Sequence, residues 1–145
     1  MPATKIRTAL RTVGLVWDEY FTAAVNMSAA CAAYKFVQPG SIFGEVSFAA
    51  GGACAQAIGI LQNSPAAAGQ ARVRVMGKSI VAACIGACVL VPGTFVQVGS
   101  FGGAAPTGCG VAQARWAGSA VSSCATYGEV YLLGPSFSSC ISAAC

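Results

Sequence analysis

A stretch bracketed by glycines, residues 57–77, constrains the fold of this chain more than any other feature of its sequence. Gly59 opens the stretch, Asn63-Ser64-Pro65 provides a turn signal, and Gly69 precedes the alternating run Arg72-Val73-Arg74-Val75. Because successive side chains of a strand point to opposite faces, both valines lie on one face and both arginines on the other. The stretch therefore predicts a strand, a turn and a second strand whose valines face the core.

The same frame recurs later in the chain, where nine residues again separate two glycines, Gly118 and Gly128, and an alternating strand follows. Glycine and proline turn signals also punctuate the chain at short intervals after Tyr34. Short strands between such signals are typical of sandwiches and barrels. We therefore predict a mainly β fold, a single small β-sandwich or β-barrel-like domain with an extended N-terminal arm. The predicted strands lie near residues 34–37, 43–48, 56–61, 71–76, 79–84, 94–98, 111–116 and 129–133.

Three regions are predicted along the chain. They are an N-terminal arm over residues 1–33, a β-domain over residues 34–135 and a C-terminal tail over residues 136–145. The tail is rich in serine, cysteine and alanine, a composition typical of a loose chain end. At 145 residues the chain is long enough to form one domain with its own hydrophobic core.

The arm carries the candidate partner contacts, which are Ile6, Leu10, Val13 and Trp17. The first three, together with Ala9, have the spacing of one face of a short amphipathic helix, although threonines and a glycine weaken that prediction. Trp17 is predicted either as an anchor in a partner's pocket or as a side chain docked on its own domain. Residues 20–33 fit either a helix or an extended segment lying on a neighbour. Removing residues 1–30 is expected to leave a folded β-domain that no longer binds its partner.

The surface of this chain is expected to be largely covered by other chains. Charged residues make up only 8% of the sequence and hydrophobic residues 56%. Soluble proteins usually carry about 25% charged residues, so a free monomer of this composition would expose apolar patches. The composition therefore predicts an obligate assembly, with self-association as a dimer or a trimer.

The charge pattern predicts neither a nucleic-acid nor a membrane partner. A net charge of +4 is small, and the basic cluster Lys5, Arg7 and Arg11 lies in the arm rather than on a folded face. That cluster either keeps the arm soluble and docks a partner, or contacts an acidic surface. No run of roughly eighteen apolar residues is free of charges and turn signals, so no membrane-spanning helix is predicted. Asp18 and Glu19 interrupt the apolar segment that a secretory signal would need.

No catalytic, metal or cofactor site is predicted, because the residues that such sites need are missing or scattered. The chain has no histidine to act as a base or a ligand. Gly77-Lys78-Ser79 imitates the end of a phosphate-binding loop, but Arg72 occupies the position of its first glycine. We therefore expect no enzyme, no cofactor and no small-molecule substrate. The four carboxylates are an adjacent pair in the arm and two isolated residues, namely Asp18, Glu19, Glu45 and Glu129.

The cysteines leave two interpretations open. No two of them form a CxxC pair, which together with the lack of histidine argues against a zinc site. Either most are buried free thiols that pack as small hydrophobic side chains, or one or two disulfides form, with Cys140 and Cys145 in the tail as the best candidates. The eight cysteines are Cys31, Cys54, Cys84, Cys88, Cys109, Cys124, Cys140 and Cys145.

Several short runs, in order, carry a resemblance to a known family. They begin with Ala33-Tyr34-Lys35-Phe36-Val37, continue with Ala57-Ile58-Gly59-Ile60 and Ala67-Ala68-Gly69-Gln70, and end with Gly128-Glu129-Val130-Tyr131-Leu132. Together they resemble the capsid decoration (cement) proteins of tailed phages, a family formerly grouped as a domain of unknown function. The resemblance covers roughly residues 33–135, and it rests on the order and spacing of glycines and small apolar residues.

The resemblance implies a structural virion protein that binds the outside of a phage capsid and cements or stabilises the shell. Its partner would be the major capsid protein, and it would be made in the host cytoplasm before joining the capsid surface. The alternative function is a secreted or surface-exposed adhesion module that carries disulfides. Counting free thiols with and without reductant separates the two, because the adhesion module requires most thiols to be blocked.

Overall fold

The computed structural model describes residues 16–29, 33–50, 57–83, 90–99, 102–106, 110–111, 114–118, 127–132 and 140–141. Over these ranges the chain forms strands and no α-helix, which confirms the predicted mainly β fold. None of the described segments is a helix long and apolar enough to cross a membrane. The strands are β1 (Trp17–Ala23), β2 (Phe36–Pro39), β3 (Glu45–Phe48), β4 (Gly59–Leu61), β5 (Gln70–Ala82), β6 (Phe95–Val98), β7 (Ala104–Pro106), β8 (Gly110–Val111), β9 (Ala114–Trp116), β10 (Tyr127–Leu132) and β11 (Cys140–Ile141).

Five strands close into a small barrel in the order β1-β3-β2-β4-β5, with β5 returning to pair with β1. The β1–β3 pair is parallel, with Thr22 opposite Glu45, and the other four pairs are antiparallel. The β1–β5 ladder runs from Trp17 opposite Met76 to Thr22 opposite Gln70. Because closure pairs both sides of each strand, the barrel leaves no open edge in this part of the fold.

A second sheet extends from the far half of β5 in the order β5-β10-β9-β6-β7. All four of its strand pairs are antiparallel. A parallel bridge between Ala83, just after β5, and Ala104 in β7 brings the outer strand of this sheet back towards its first strand. The second sheet therefore curls around a core of its own, while β8 and β11 form a separate antiparallel pair.

Strand β5 links the two halves and alternates between buried and exposed positions along its length. Val73 and Val75 are buried, whereas Arg72 and Arg74 keep 44% and 21% of their side chains exposed. This confirms the predicted alternation of inward valines and outward arginines. The two strands predicted at residues 71–76 and 79–84 are one continuous strand, which passes through Gly77 at a φ of 97°. Gly77 supplies a left-handed backbone conformation that other residues adopt only with strain.

Strands β2 and β4 form a wall shared by two hydrophobic cores. Phe36 of β2 lies opposite Ile60 of β4, and both face the core of the second sheet. The neighbouring residues Val37 and Leu61 face the barrel core instead. A wall with apolar residues on both faces explains why all three residues of β4 are buried. The barrel core consists of Ala23, Met27, Val37, Val46, Leu61, Ala71, Val73 and Val75.

The turn predicted between β4 and β5 is held by the side chain of Asn63. Its Nδ2 donates to the carbonyl oxygen of Gln70 at 2.9 Å, and its Oδ1 accepts from the backbone N–H of Arg72 at 3.0 Å. Ala68 has a φ of 64°, a left-handed conformation, immediately before Gly69. The side-chain amide of Asn63 thus supplies partners for two backbone groups that the turn would otherwise leave unpaired.

The segment predicted as an N-terminal arm contributes a strand to the barrel. The sequence allowed either a helix or an extended segment over residues 20–33. The first four of these residues are the last four of β1. Ala23 and Met27 are fully buried in the barrel core. A deletion of residues 1–30 would therefore remove part of that core, and the structure gives reason to expect that the rest does not stay folded. The division of the chain at residue 33 stays a prediction.

Gly128 gives a test of packing in the second sheet. A Cβ built at this position would overlap the indole ring of Trp116, which is itself 1% exposed. We expect Gly128→Ala to lower the free energy of unfolding by about 2 kcal/mol, because the ring has no space to move. Chemical denaturation of the two proteins measures this loss. The loss should shrink in a Trp116→Leu background, and an equal loss in both backgrounds would show that the ring is not the obstacle.

Candidate interaction surface

Among the described residues, eleven large apolar side chains are exposed on the outer surface. Strand positions that face solvent are usually polar, and large exposed apolar patches commonly mark interaction sites. Outward positions of the described residues that packing within the chain does not explain are therefore candidate contact surfaces. The exposed large apolar residues are Trp17, Tyr20, Val25, Ile42, Phe43, Met76, Ile80, Val91, Phe95, Tyr127 and Tyr131.

The tip of the β2–β3 hairpin is the most exposed of these positions. Ile42 is 64% exposed, and Phe43 is 105% exposed, so the protein covers none of its ring. The tip is held in place by backbone hydrogen bonds rather than by side-chain packing. The N–H of Glu45 donates to the carbonyl of Ile42 at 3.1 Å, and the N–H of Thr22 in β1 donates to the carbonyl of Gly44 at 2.9 Å.

A shallow open depression of about 270 Å³ lies beside this tip. It sits where the end of β1, the hairpin tip and the turn before β5 meet. Backbone hydrogen bonds tie these segments together, among them Ala23 N–H to the Gly69 carbonyl at 2.8 Å. The tip therefore projects from a fixed platform. The depression is lined by Tyr20, Phe21, Thr22, Gly44, Ala68, Gly69 and Gln70.

Three charged residues on the β1–β5 wall, Asp18, Arg72 and Arg74, are paired with one another. Arg74 donates through Nε and Nη2 to the two carboxylate oxygens of Asp18, at 2.7 and 3.1 Å. Its Nη1 donates to the carbonyl of Lys78 at 3.0 Å, and Arg72 lies 3.8 Å from the same carboxylate. A two-pronged arginine–carboxylate pair of this kind fixes the geometry of both side chains. Asp18 thus joins β1 to β5 rather than forming an acid–base pair with Glu19.

The outer face of the second sheet carries a row of four residues that are opposite one another on adjacent strands, namely Lys78, Tyr131, Arg115 and Phe95. Arg115 lies over the ring of Phe95, 4.7 Å from its centroid, in a cation–π contact. Lys78 pairs with Glu129 at 3.0 Å. The hydrogen bond to Glu129 and its negative charge raise the pKa of Lys78 above 10.5. The contribution of this pair to stability is therefore lost as the pH rises through the raised pKa of Lys78.

The candidate contacts predicted from sequence fall partly on this surface. Trp17 lies in β1 opposite Met76 and is 51% exposed, with its indole N–H donating to Glu19 at 2.6 Å. Ile6, Leu10 and Val13 lie outside the described residues, and so does every cysteine except Cys140 in β11. Whether any of these residues contacts a partner stays a prediction. Among the described residues, no group of three or more acidic or cysteine side chains is arranged to hold a metal ion.

Sequence reasoning missed the hairpin tip because it placed Phe43 inside a strand at residues 43–48. The structure begins β3 at Glu45 and leaves Phe43 in the turn. A signal was present in the sequence: Ile42 and Phe43 stand between Gly40 and Gly44, in a position where polar turn residues are usual. Adjacent large apolar residues inside a turn break the alternation of a strand.

The comparisons with known proteins give a likeness of fold and none of sequence. No family model matches this chain, and no curated protein matches it in sequence. Among solved structures, its fold is similar to that of the N base of head fiber gp8.5 in bacteriophage phi29, with a TM-score of 0.57. The likeness covers 81% of this chain and 94% of that chain, at 15% sequence identity. The two chains therefore share a fold that spans nearly all of the head-fiber base.

Proposed function

We propose that this chain is a structural protein of a phage virion that attaches to the outside of the capsid head. The observation that carries the proposal is the fold likeness to a phage head-fiber base, which extends over 94% of that chain. The resemblance of residues 33–135 to capsid decoration proteins agrees with it, but no family model matches the chain, so the fold likeness alone carries the proposal.

The surface of the chain supports attachment rather than catalysis. Phe43, Tyr20 and Trp17 expose aromatic area, which commonly supplies the binding energy of protein interfaces. Asp18, Arg72 and Arg74 on the β1–β5 wall are paired with one another. A rigid barrel that presents apolar groups suits a permanent contact with another folded protein.

The finer part of the proposal is that binding cements the shell. A protein that binds the assembled shell more tightly than the separated subunits stabilises assembly by mass action. At a free concentration about 100 times the Kd, each bound site would add about 2.7 kcal/mol to the stability of the shell. The major capsid protein is the partner in this proposal, and the chain itself associates as a dimer or trimer.

Shells assembled from the major capsid protein of the same virus, but lacking this chain, provide the test. We expect the purified chain to sediment with these shells at saturating stoichiometry and to raise the temperature at which they fall apart. The first result tests attachment, and the second tests cementing. A chain that stays in the supernatant at micromolar concentrations would contradict attachment. Binding without a shift in the disassembly temperature would leave a head-attached protein that does not cement.

A further inference from the structure

The turn at the hairpin tip can be compared with a second turn of the same type elsewhere in the chain. Residues 42–45 form a four-residue turn in which the N–H of Glu45 donates to the carbonyl of Ile42 at 3.1 Å. Residues 91–94 form a second turn in which the N–H of Thr94 donates to the carbonyl of Val91, also at 3.1 Å. The third residue of each turn is a glycine with positive φ, 86° in Gly44 and 90° in Gly93. This is the pattern of a type II turn.

The two turns differ at their second position, which holds Phe43 in one and Pro92 in the other. Proline is favoured at that position because its ring fixes the φ that the turn needs. An aromatic residue brings no such advantage there, and the ring of Phe43 rests on nothing in the chain. The turn therefore does not explain Phe43, and neither does packing.

The tip is built as a rigid apolar projection. The N–H of Gly40 donates to the carbonyl of Glu45 at 2.7 Å and closes the hairpin below the turn, while Thr22 fixes Gly44 from the side. An aromatic side chain on a backbone that is already ordered loses little conformational entropy on binding. Burying such a ring in a pocket also removes a large apolar area from water.

We propose that Phe43, together with Ile42, is the anchor that inserts into an apolar pocket of the capsid protein to which this chain attaches. The proposal rests on the proposed function and names the contact residues for it. A protein pocket fits the tip better than a lipid surface does. No basic residue lies between Lys35 and Glu45, and Glu45 at the base of the tip would be repelled by anionic headgroups.

Two variants of the full chain test the anchor, Phe43→Pro and Ile42→Ser, and Val91→Ser is the matched control. Phe43→Pro removes the ring and installs the residue that the second turn already uses, so the fold is expected to keep its thermal midpoint. We expect this variant to bind shells of the major capsid protein at least about 30-fold more weakly, the effect of a central hot spot. Ile42→Ser should weaken binding less. Val91→Ser changes the same position of the other turn and should stay within about twofold.

The outcomes separate the anchor from the proposed function. Wild-type chain that fails to sediment with the shells would overturn the proposed function and the anchor with it. Wild-type binding that Phe43→Pro leaves unchanged would overturn the anchor alone. Vesicles of phosphatidylcholine and phosphatidylglycerol, and sedimentation of the chain by itself, test the other occupants. If Phe43→Pro abolishes flotation with vesicles and leaves shell binding intact, the tip binds lipid and the proposal is overturned. If Phe43→Pro instead abolishes self-association and leaves shell binding intact, the tip binds a second copy of the chain, which also overturns the proposal.

Discussion

A chain that lacks residues 1–23, and with them strand β1, is expected not to fold. Strand β1 pairs with β5 along its whole length and with β3 at its end, so its removal opens the barrel on two sides. The loss also takes Ala23 from the core and leaves Arg74 without the carboxylate of Asp18. A typical domain is stable by only roughly 5–15 kcal/mol, so losing a whole barrel strand is expected to remove the cooperative fold. Circular dichroism and a denaturant titration should show no cooperative transition.

A shorter deletion, of residues 1–15, is the control, because it keeps every residue that the structure describes. This variant is expected to unfold cooperatively, with a midpoint close to that of the full chain. It is also the variant that asks whether Ile6, Leu10 and Val13 contact the shell, since only binding should then change. If the chain starting at residue 24 unfolds with the same cooperativity as the full chain, β1 is dispensable and the barrel closes without it.

Strand β5 could be predicted from sequence because its alternation is local. Val73 and Val75 fall at a period of two, turn signals precede them, and the barrel core needs side chains at that spacing. The prediction divided the strand in two because Gly77 resembled a break. In the structure Gly77 lies within one strand, with a positive φ, where the partner of β5 changes from β1 of the barrel to β10 of the second sheet. A glycine in a strand can end it or bend it, and the local sequence does not distinguish these cases.

The membership of β1 in the barrel could not be predicted in the same way. Its closure depends on a parallel pairing of Thr22 with Glu45 and an antiparallel ladder to β5, about fifty residues away in sequence. Such pairings are set by the whole fold, because the sequence of a strand does not show which distant strand it pairs with. The charge pair of Asp18 with Arg74 was equally invisible, since neither residue is unusual alone.

The candidate surface was only partly predictable for a related reason. Trp17 was singled out because an aromatic residue in an arm is conspicuous, and the structure does leave it 51% exposed. Phe43 escaped notice because a phenylalanine near a strand is ordinarily a core residue. Its significance depends on burial, which only the folded structure supplies.

Gly59, the first glycine of the stretch that constrains the fold, lies where β4 comes closest to β5. A Cβ built on Gly59 would overlap the carbonyl oxygen of Arg74 and would lie 2.7 Å from Cγ1 of Val73 and 2.9 Å from the carbonyl carbon of Arg74. Since Ile60 and Leu61 next to it face opposite cores, β4 cannot move away from β5 without disturbing both. Glycine is required here by the close approach of two backbones.

Gly59→Ala is therefore expected to lower the free energy of unfolding by about 3 kcal/mol, at the upper end for an added methyl group in a packed core. Denaturant titration measures the loss. Gly93→Ala is the comparison, because a Cβ at Gly93 would meet nothing within 4 Å. Only the cost of a positive φ, about 1–2 kcal/mol, then applies. Adding Val73→Ala should not restore Gly59→Ala, since the obstacle is a backbone carbonyl that no side-chain change removes. Recovery of stability in that double variant would instead identify the Val73 side chain as the obstacle. A Gly59→Ala protein as stable as wild type would mean that β4 and β5 lie further apart than their hydrogen-bonded register places them.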